Sequence, residues 1–273
     1  MTGGALAQDV SGEVTVAAGG AIPQAELDRP IAAQAPLTQG FRQISGRGLT
    51  LVTGTDTDIG KTITTAAIVR SLLDGDIHPI AVKIAQTGLL PGEPGDVDDV
   101  ARLAGLPKGS TRELSRCTEA LAPTTAARRK AVALPSMAQV ATRLAELVDS
   151  QRGAPVIAEG AGGIMVGLDN RGEGLLQLIP LLAEMGIAAR FIVVARAGLG
   201  TLNHAQLTCS AIRRHGGEVV GLVFGAYPVE PDLATRCNLE EIADLCGAPL
   251  LGGLPQGLGG LTPEAFADAV RAA

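Results

Sequence analysis

A doubly wound α/β domain, its sheet mainly parallel and its helices on both faces, is the fold class this sequence predicts. Three observations predict it. Short apolar runs rich in Val, Ile and Leu recur at residues 49–53, 79–82, 155–158, 191–195, 219–224 and 249–251. They do not alternate with polar residues, as strands buried on both faces need not. Amphipathic segments at 62–73, 136–151, 202–215 and 233–245 lie between them. Strand-helix-strand repetition requires right-handed crossovers and favours a parallel sheet. The third observation is residues 53–62, TGTDTDIGKT, which join the first apolar run to the first helical segment.

The elements follow in chain order. Residues 1–47 are rich in Ala, Gly and Gln, contain no Lys and sustain neither a 3.6 nor a 2.0 period. They lack the positive start and compact apolar stretch of a signal peptide. We expect a poorly ordered extension here, with a hint of a strand at 14–17, and one nucleotide-binding catalytic domain over 48–273. After the run at 49–53, the Gly-rich loop should turn its N–H groups inward beside a helix N-terminus, a setting for phosphate. Lys61 would reach the β- and γ-phosphates and the Thr62 hydroxyl would ligate Mg²⁺, while Gly60 allows close backbone approach. The ordinary phosphate-loop spacing places its first glycine at Thr55; here the glycine is Gly54.

Ligands on such sheets gather at the carboxyl ends of strands. Lys83 follows the run at 79–82 and opens KIAQTG, with a hydroxyl at Thr87. Glu159 follows the run at 155–158 and precedes GAGG, where a phosphate-loop enzyme carries its metal-positioning carboxylate. The glycine-rich GLGT at 198–201 ends the next run. All three are expected to face one cleft.

Composition excludes several classes. The chain has 273 residues, 46% hydrophobic and 18% charged, enough for one substantial core. Aromatic residues make up 2%, with no Trp and one Tyr, which leaves little surface for stacking bases, and the net charge of −6 opposes a nucleic-acid role. The clusters at 128–130 and 213–214 therefore read as solvated basic faces. No apolar stretch reaches the length of about 18 residues that a membrane span needs. Cys117, Cys209, Cys237 and Cys246 form no C-x-x-C pair and no zinc spacing. They read as thiols of a reducing compartment, and the expectation is a cytoplasmic protein.

Residues 53–62, VKIAQTG at 82–88, EGAGG at 159–163 and LGTLNH at 199–204 together resemble the signature segments of dethiobiotin synthetases, in the same order, over about residues 48–257. Partitioning and septum-placing ATPases of the same fold carry an extra lysine near the start of the loop. Thr53, Gly54 and Thr55 stand there instead, which leaves a regulatory switch ATPase as the weaker alternative. The resemblance implies ATP- and Mg²⁺-dependent addition of CO₂ to 7,8-diaminononanoate, phosphorylation of the carbamate and ring closure to a cyclic urea. It implies that Lys83 contacts carbamate and γ-phosphate, that Lys61 and Thr57 join it in catalysis, and that Thr57 and Thr87 face the diamine. It also implies that Asp58, Ile59, Gly60, Lys61, Thr62, Ile63, Gly160, Ala161 and Gly162 hold the nucleotide. Thr62, an aspartate and Glu159 would hold magnesium.

GDVDDV at 95–100 offers three aspartates; gapless alignment of the following helix selects Asp96, with Asp99 as the rival and a helix cap as the bland role for either. LGTLNH resembles the segment that presents helix-start amides, near Thr201 and Asn203, to the substrate's carboxylate in the partner subunit's site, which implies a homodimer. His204 reads as structural. Many members read the purine edge with an Asn-Asp pair after the 219–224 run; this chain has Gly225 and Ala226, and Pro255, Gln256 and Gly257 keep the other base-facing turn only in outline. Discrimination among triphosphates is therefore expected to be weak.

Overall fold

The computed structural model describes residues 37–45, 47–150 and 154–273. Elements are numbered among these residues. Seven parallel strands form one sheet in the order β4-β2-β6-β1-β7-β8-β9. They are β1 (Leu49–Gly54), β2 (Ile80–Lys83), β4 (Thr111–Glu113), β6 (Val156–Gly163), β7 (Arg190–Ala195), β8 (Glu218–Tyr227) and β9 (Leu250–Pro255). Six correspond to the apolar runs. The seventh, edge strand β4, reads TRE and is only half-buried, so no apolar run marks it. A separate two-stranded ribbon joins β3 (Gln86–Thr87) to β5 (Arg116–Cys117).

Successive strand residues go to opposite faces, and both faces are covered. Leu51, Val82, Ala158 and Val193 point to one core, packed with α5 (Met137–Ser150), α6 (Leu175–Glu184), α7 (Thr201–Arg214) and α8 (Leu233–Cys246). Val52, Ala81, Ile157 and Val194 point to the other, packed with α1 (Leu37–Ser45), α2 (Lys61–Leu73), α3 (Asp96–Ala104) and α9 (Pro263–Ala272). Helix α4 (Pro123–Lys130) forms a small satellite core with Cys117 and Leu134. This double cover is why the strands read as continuous apolar runs. Among the described residues no helix is long and apolar enough to cross a membrane.

Within the stretch 1–47, expected to be a poorly ordered extension, the described residues 37–45 are instead a packed helix. Residues 37–45 are helix α1, with Leu37 and Phe41 fully buried four residues apart on one face. Leu37 seats in a notch of β9: a Cβ on Gly252 would lie 2.7 Å from its Cδ1. Nine residues supply too few turns for a readable period, so the helix owes its place to packing. The strand hinted at 14–17 lies outside the described residues. Helix α6 was obscured by Pro180 inside it.

Candidate active site

The phosphate loop leaves β1 at the centre of the sheet, where the chain passes to strands on either side. Gly54 explains the shifted spacing. A side chain there would meet Asp56 O at 2.9 Å, Ile59 Cδ1 at 2.9 Å and Lys61 Cδ at 3.1 Å, because the loop folds back over the strand end. Gly60, with φ 91°, lies against the backbone of Gly225 at the end of β8, where a Cβ would collide with the Gly225 carbonyl. Asp58 also has positive φ, 55°, a conformation that the short aspartate side chain tolerates better than most residues. That gives a physical basis for a short acidic side chain at this position of the loop.

A cleft of about 490 Å³ opens over this loop. Its walls include Thr57 to Ile63, Lys83, Gln86, Thr87, Asp96, Glu159, Ala161 and Gly162, and at the far end Gly225, Ala226, Pro255 and Gly257. Register decides its chemistry. Lys83 on β2 is the direct neighbour of Glu159 on β6. Both side chains are buried, and Nζ lies 2.6 Å from Glu159 Oε1 while also pairing with Asp96 and donating to Gly160 O at 3.1 Å. Two hydroxyls from α2 complete the carboxylate's shell, Thr62 Oγ1 to Oε1 at 3.1 Å and Thr65 Oγ1 to Oε2 at 2.9 Å. Burial opposes the charge on Lys83, but the carboxylates of Glu159 and Asp96 outweigh it and raise its pKa above the ordinary lysine value. Lys61 shifts the other way. Burial, with the like charge of Lys83, lowers its pKa although Glu159, Asp58 and Asp96 oppose the change, and its Nζ donates to Asp56 O at 2.8 Å.

The three aspartates at the start of α3 separate cleanly. Asp96 lines the cleft beside Lys83, and its own N–H donates to Gln86 Oε1 at 2.9 Å. Asp98 accepts the Gly95 N–H at 2.7 Å and caps the helix. Asp99 points outward and pairs with Arg102 at 3.0 Å.

Other expectations are met less directly. The 198–201 turn does not reach the cleft of its own chain: Thr201 is buried, Asn203 is exposed, and neither lines it. Gly160 contributes its carbonyl to Lys83, and Gln256 is exposed beside the cleft between Pro255 and Gly257. A second, more apolar groove meets the first at Thr57 and runs past Ile164, Met165, His204 and Leu207 to Arg214. Sequence reasoning missed Thr65, Gln86 and Arg196, whose guanidinium pairs with Asp56. Thr65 was findable, since it lies one helical turn after Lys61; Arg196 carried no signal.

The oxygen donors of Thr62, Asp96 and Glu159 suit a hard divalent ion. Among the described residues no cluster of three His, Cys, Asp or Glu side chains could hold a metal by itself. Magnesium is commonly bound through one or two carboxylates together with substrate phosphates, so the set fits magnesium carried with a nucleotide.

The family model described as an AAA domain matches residues 49–264. The ATP-dependent dethiobiotin synthetase BioD of Streptomyces coelicolor is 44% identical over 80% of this chain and 88% of its own length. The same enzyme of Saccharopolyspora erythraea is 46% identical over 81% and 93%. That of Rhodococcus jostii is 41% identical over 80% and 91%. Among solved structures, a ParA family ATPase from Chlorobium tepidum has a TM-score of 0.49 at 12% identity, covering 83% of this chain and 90% of its own, a distant likeness that says nothing of activity. On the relatives' identity across nearly their whole length, this chain belongs to the ATP-dependent dethiobiotin synthetase family.

Proposed function

We propose that the cleft closes 7,8-diaminononanoate and CO₂ into dethiobiotin at the expense of ATP, with the residues acting as follows. An amine of the substrate and CO₂ give a carbamate, whose oxygen takes the γ-phosphoryl group of ATP; the second amine then attacks the carbonyl carbon and expels phosphate. The carbamate is a weak nucleophile, so orientation and charge neutralisation must lower the barrier. Lys83 does both, lining the cleft from β2 together with Thr57 of the phosphate loop and with Thr87, whose hydroxyls would face the diamine. Lys61 leaves the Asp56 carbonyl to bind the β- and γ-phosphates, and Gly60 and its neighbours offer backbone N–H groups. Magnesium, when held by Thr62, Asp96 and Glu159, neutralises phosphate charge. Thr65 keeps Glu159 oriented.

The observation that carries this reading is the buried Lys83 between Glu159 and Asp96. A nucleotide switch needs the loop lysine, but it has no evident use for a second buried lysine at the γ-phosphate end. A homodimer completes the site in this reading. The exposed Met165 and Leu207 share the apolar groove that meets the cleft at Thr57, a face suited to a second copy. The amides near Thr201 and Asn203 would then reach the substrate carboxylate in the partner's cleft. Four unpaired thiols among the described residues agree with a cytoplasmic setting.

The test is phosphate release from ATP, Mg²⁺ and bicarbonate, with and without the diamine, with dethiobiotin followed by mass. Release in proportion to product supports the ligase. Diamine-independent release without cyclic urea would replace it with a switch ATPase.

A further inference from the structure

The end of the cleft opposite Lys83 is chemically bare. Gly225, Ala226, Pro255, Gly257, Leu258 and Gly259 line it, and none carries a side-chain donor or acceptor. Apart from Gln256, exposed beside this end, a base lying there meets only main-chain hydrogen-bonding groups, and such recognition depends on the conformation of the turn that supplies them. That turn is a short 3₁₀ helix, Leu258–Gly260, entered through Gly257 at φ 85°. Its internal bonds are long, Gly260 N to Gly257 O at 3.4 Å and Leu261 N to Leu258 O at 3.2 Å. Three of its four residues from 257 to 260 are glycine, so little in the turn itself resists distortion.

An arginine from outside the cleft holds it. Arg102, in the last turn of α3, donates from Nη2 to Gly259 O at 2.8 Å and from Nη1 to Leu261 O at 3.0 Å. Asp99 fixes the guanidinium, accepting from Nη2 at 3.0 Å. An exposed ion pair three residues apart on a helix contributes little alone. Here the pair aims two planar donors at the Gly259 and Leu261 carbonyls of a glycine-rich turn some 157 residues away in the chain. The same helix begins with Asp96 inside the cleft, so one rigid element joins the metal-side acid to the base wall.

We propose that Arg102 is a positioning residue for the nucleotide base, setting the backbone wall that takes the place of a base-reading side chain. This rests on the reading of the cleft as the triphosphate site. Arg102 acts from behind the wall on the base half alone, whereas the loop around Lys61 binds the phosphates without it.

The experiment compares a non-hydrolysable ATP analogue with inorganic tripolyphosphate, each with Mg²⁺, by calorimetry on the wild-type chain, Arg102→Ala and Arg102→Lys. Loss of charge-assisted hydrogen bonds to the turn should weaken the analogue about tenfold in Arg102→Ala and by less in Arg102→Lys, while tripolyphosphate affinity stays unchanged. In steady state, KM for ATP should rise with kcat and the KM for the diamine unaltered. Equal weakening of both ligands, or of neither, overturns the proposal. If the wild-type chain binds the analogue no better than tripolyphosphate, the base-wall reading fails first, a result that the variants are not needed to see. Should Arg102→Ala not fold, Arg102→Lys still decides, because its smaller loss must appear with the analogue and not with tripolyphosphate.

Discussion

Replacing Lys83 by methionine keeps most of the side-chain volume and removes the charge. The Lys83 and Glu159 side chains are 5% and 2% exposed. Breaking a buried pair by removing one partner costs about 3–5 kcal/mol, since the remaining charge stays out of water. Thr62 and Thr65 still donate to Glu159, and Asp96 is 31% exposed and can turn to water, so the lower end, about 3 kcal/mol, is expected. For a domain of this size that corresponds to a fall in Tm of about 10 °C. The assay is thermal unfolding by circular dichroism with a chelator present, beside turnover measured as above. The pH dependence has a fixed sign. A lysine whose folded pKa lies above 10.5 contributes stability that is complete below 10.5 and is lost as pH rises through the folded value. Wild type and variant should therefore differ fully at neutral pH and converge only at strongly alkaline pH. Turnover should collapse while nucleotide binding persists, because Lys61 and the loop are untouched. A variant with wild-type Tm would refute the buried-pair argument, and one with wild-type turnover would refute the role of Lys83.

The lowered pKa of Lys61 sets the alkaline limit of binding: triphosphate affinity should fall as pH rises through a value below 10.5, and Lys61→Arg should remove that limb in a calorimetric pH series, whether or not it still turns over. Phe41→Ala, at a position 0% exposed, should cost about 3–5 kcal/mol by chemical denaturation. Deleting residues 1–45 should therefore destabilise the catalytic domain, whereas a chain starting at residue 37 keeps the helix, and equal melting of the two would show that α1 contributes nothing. Gly60→Ala should abolish triphosphate binding through collision with Gly225 and the strain of φ 91°, with the fold retained by circular dichroism. The bare base wall predicts kcat/KM values for ATP, GTP and CTP within about tenfold of each other, and a stronger preference in competition assays would contradict it.

The arrangement also shows how legible this site was. Six of the seven sheet strands, the loop and the gathering of Lys61, Thr62, Lys83 and Glu159 at one cleft could be read directly, because buried parallel strands and phosphate loops need particular residue types in a fixed local order. The Asp96 and Asp99 alternatives could not be separated along the chain. Two carboxylates three residues apart lie within about 60° of each other around a helix, so the local pattern does not separate them, and only packing of α3 on the sheet says which one faces the cleft. Helix α1 was hidden because its two anchors gain their burial from β9 and α2, elements remote in sequence. Edge strand β4 was hidden because half-exposed strands need no apolar run.

Sequence by itself therefore determined the chemistry that is local: a strand, a turn rich in N–H groups, a lysine and a hydroxyl in succession. Tertiary structure alone decided the pairings across the sheet. Register set Lys83 beside Glu159, the fold-back over Gly54 fixed the shifted loop, and contact between α3 and the 257–261 turn brought Arg102 to the base wall. These depend on distances between segments tens to more than a hundred residues apart, which no local pattern encodes and which the packing of both sheet faces fixes together.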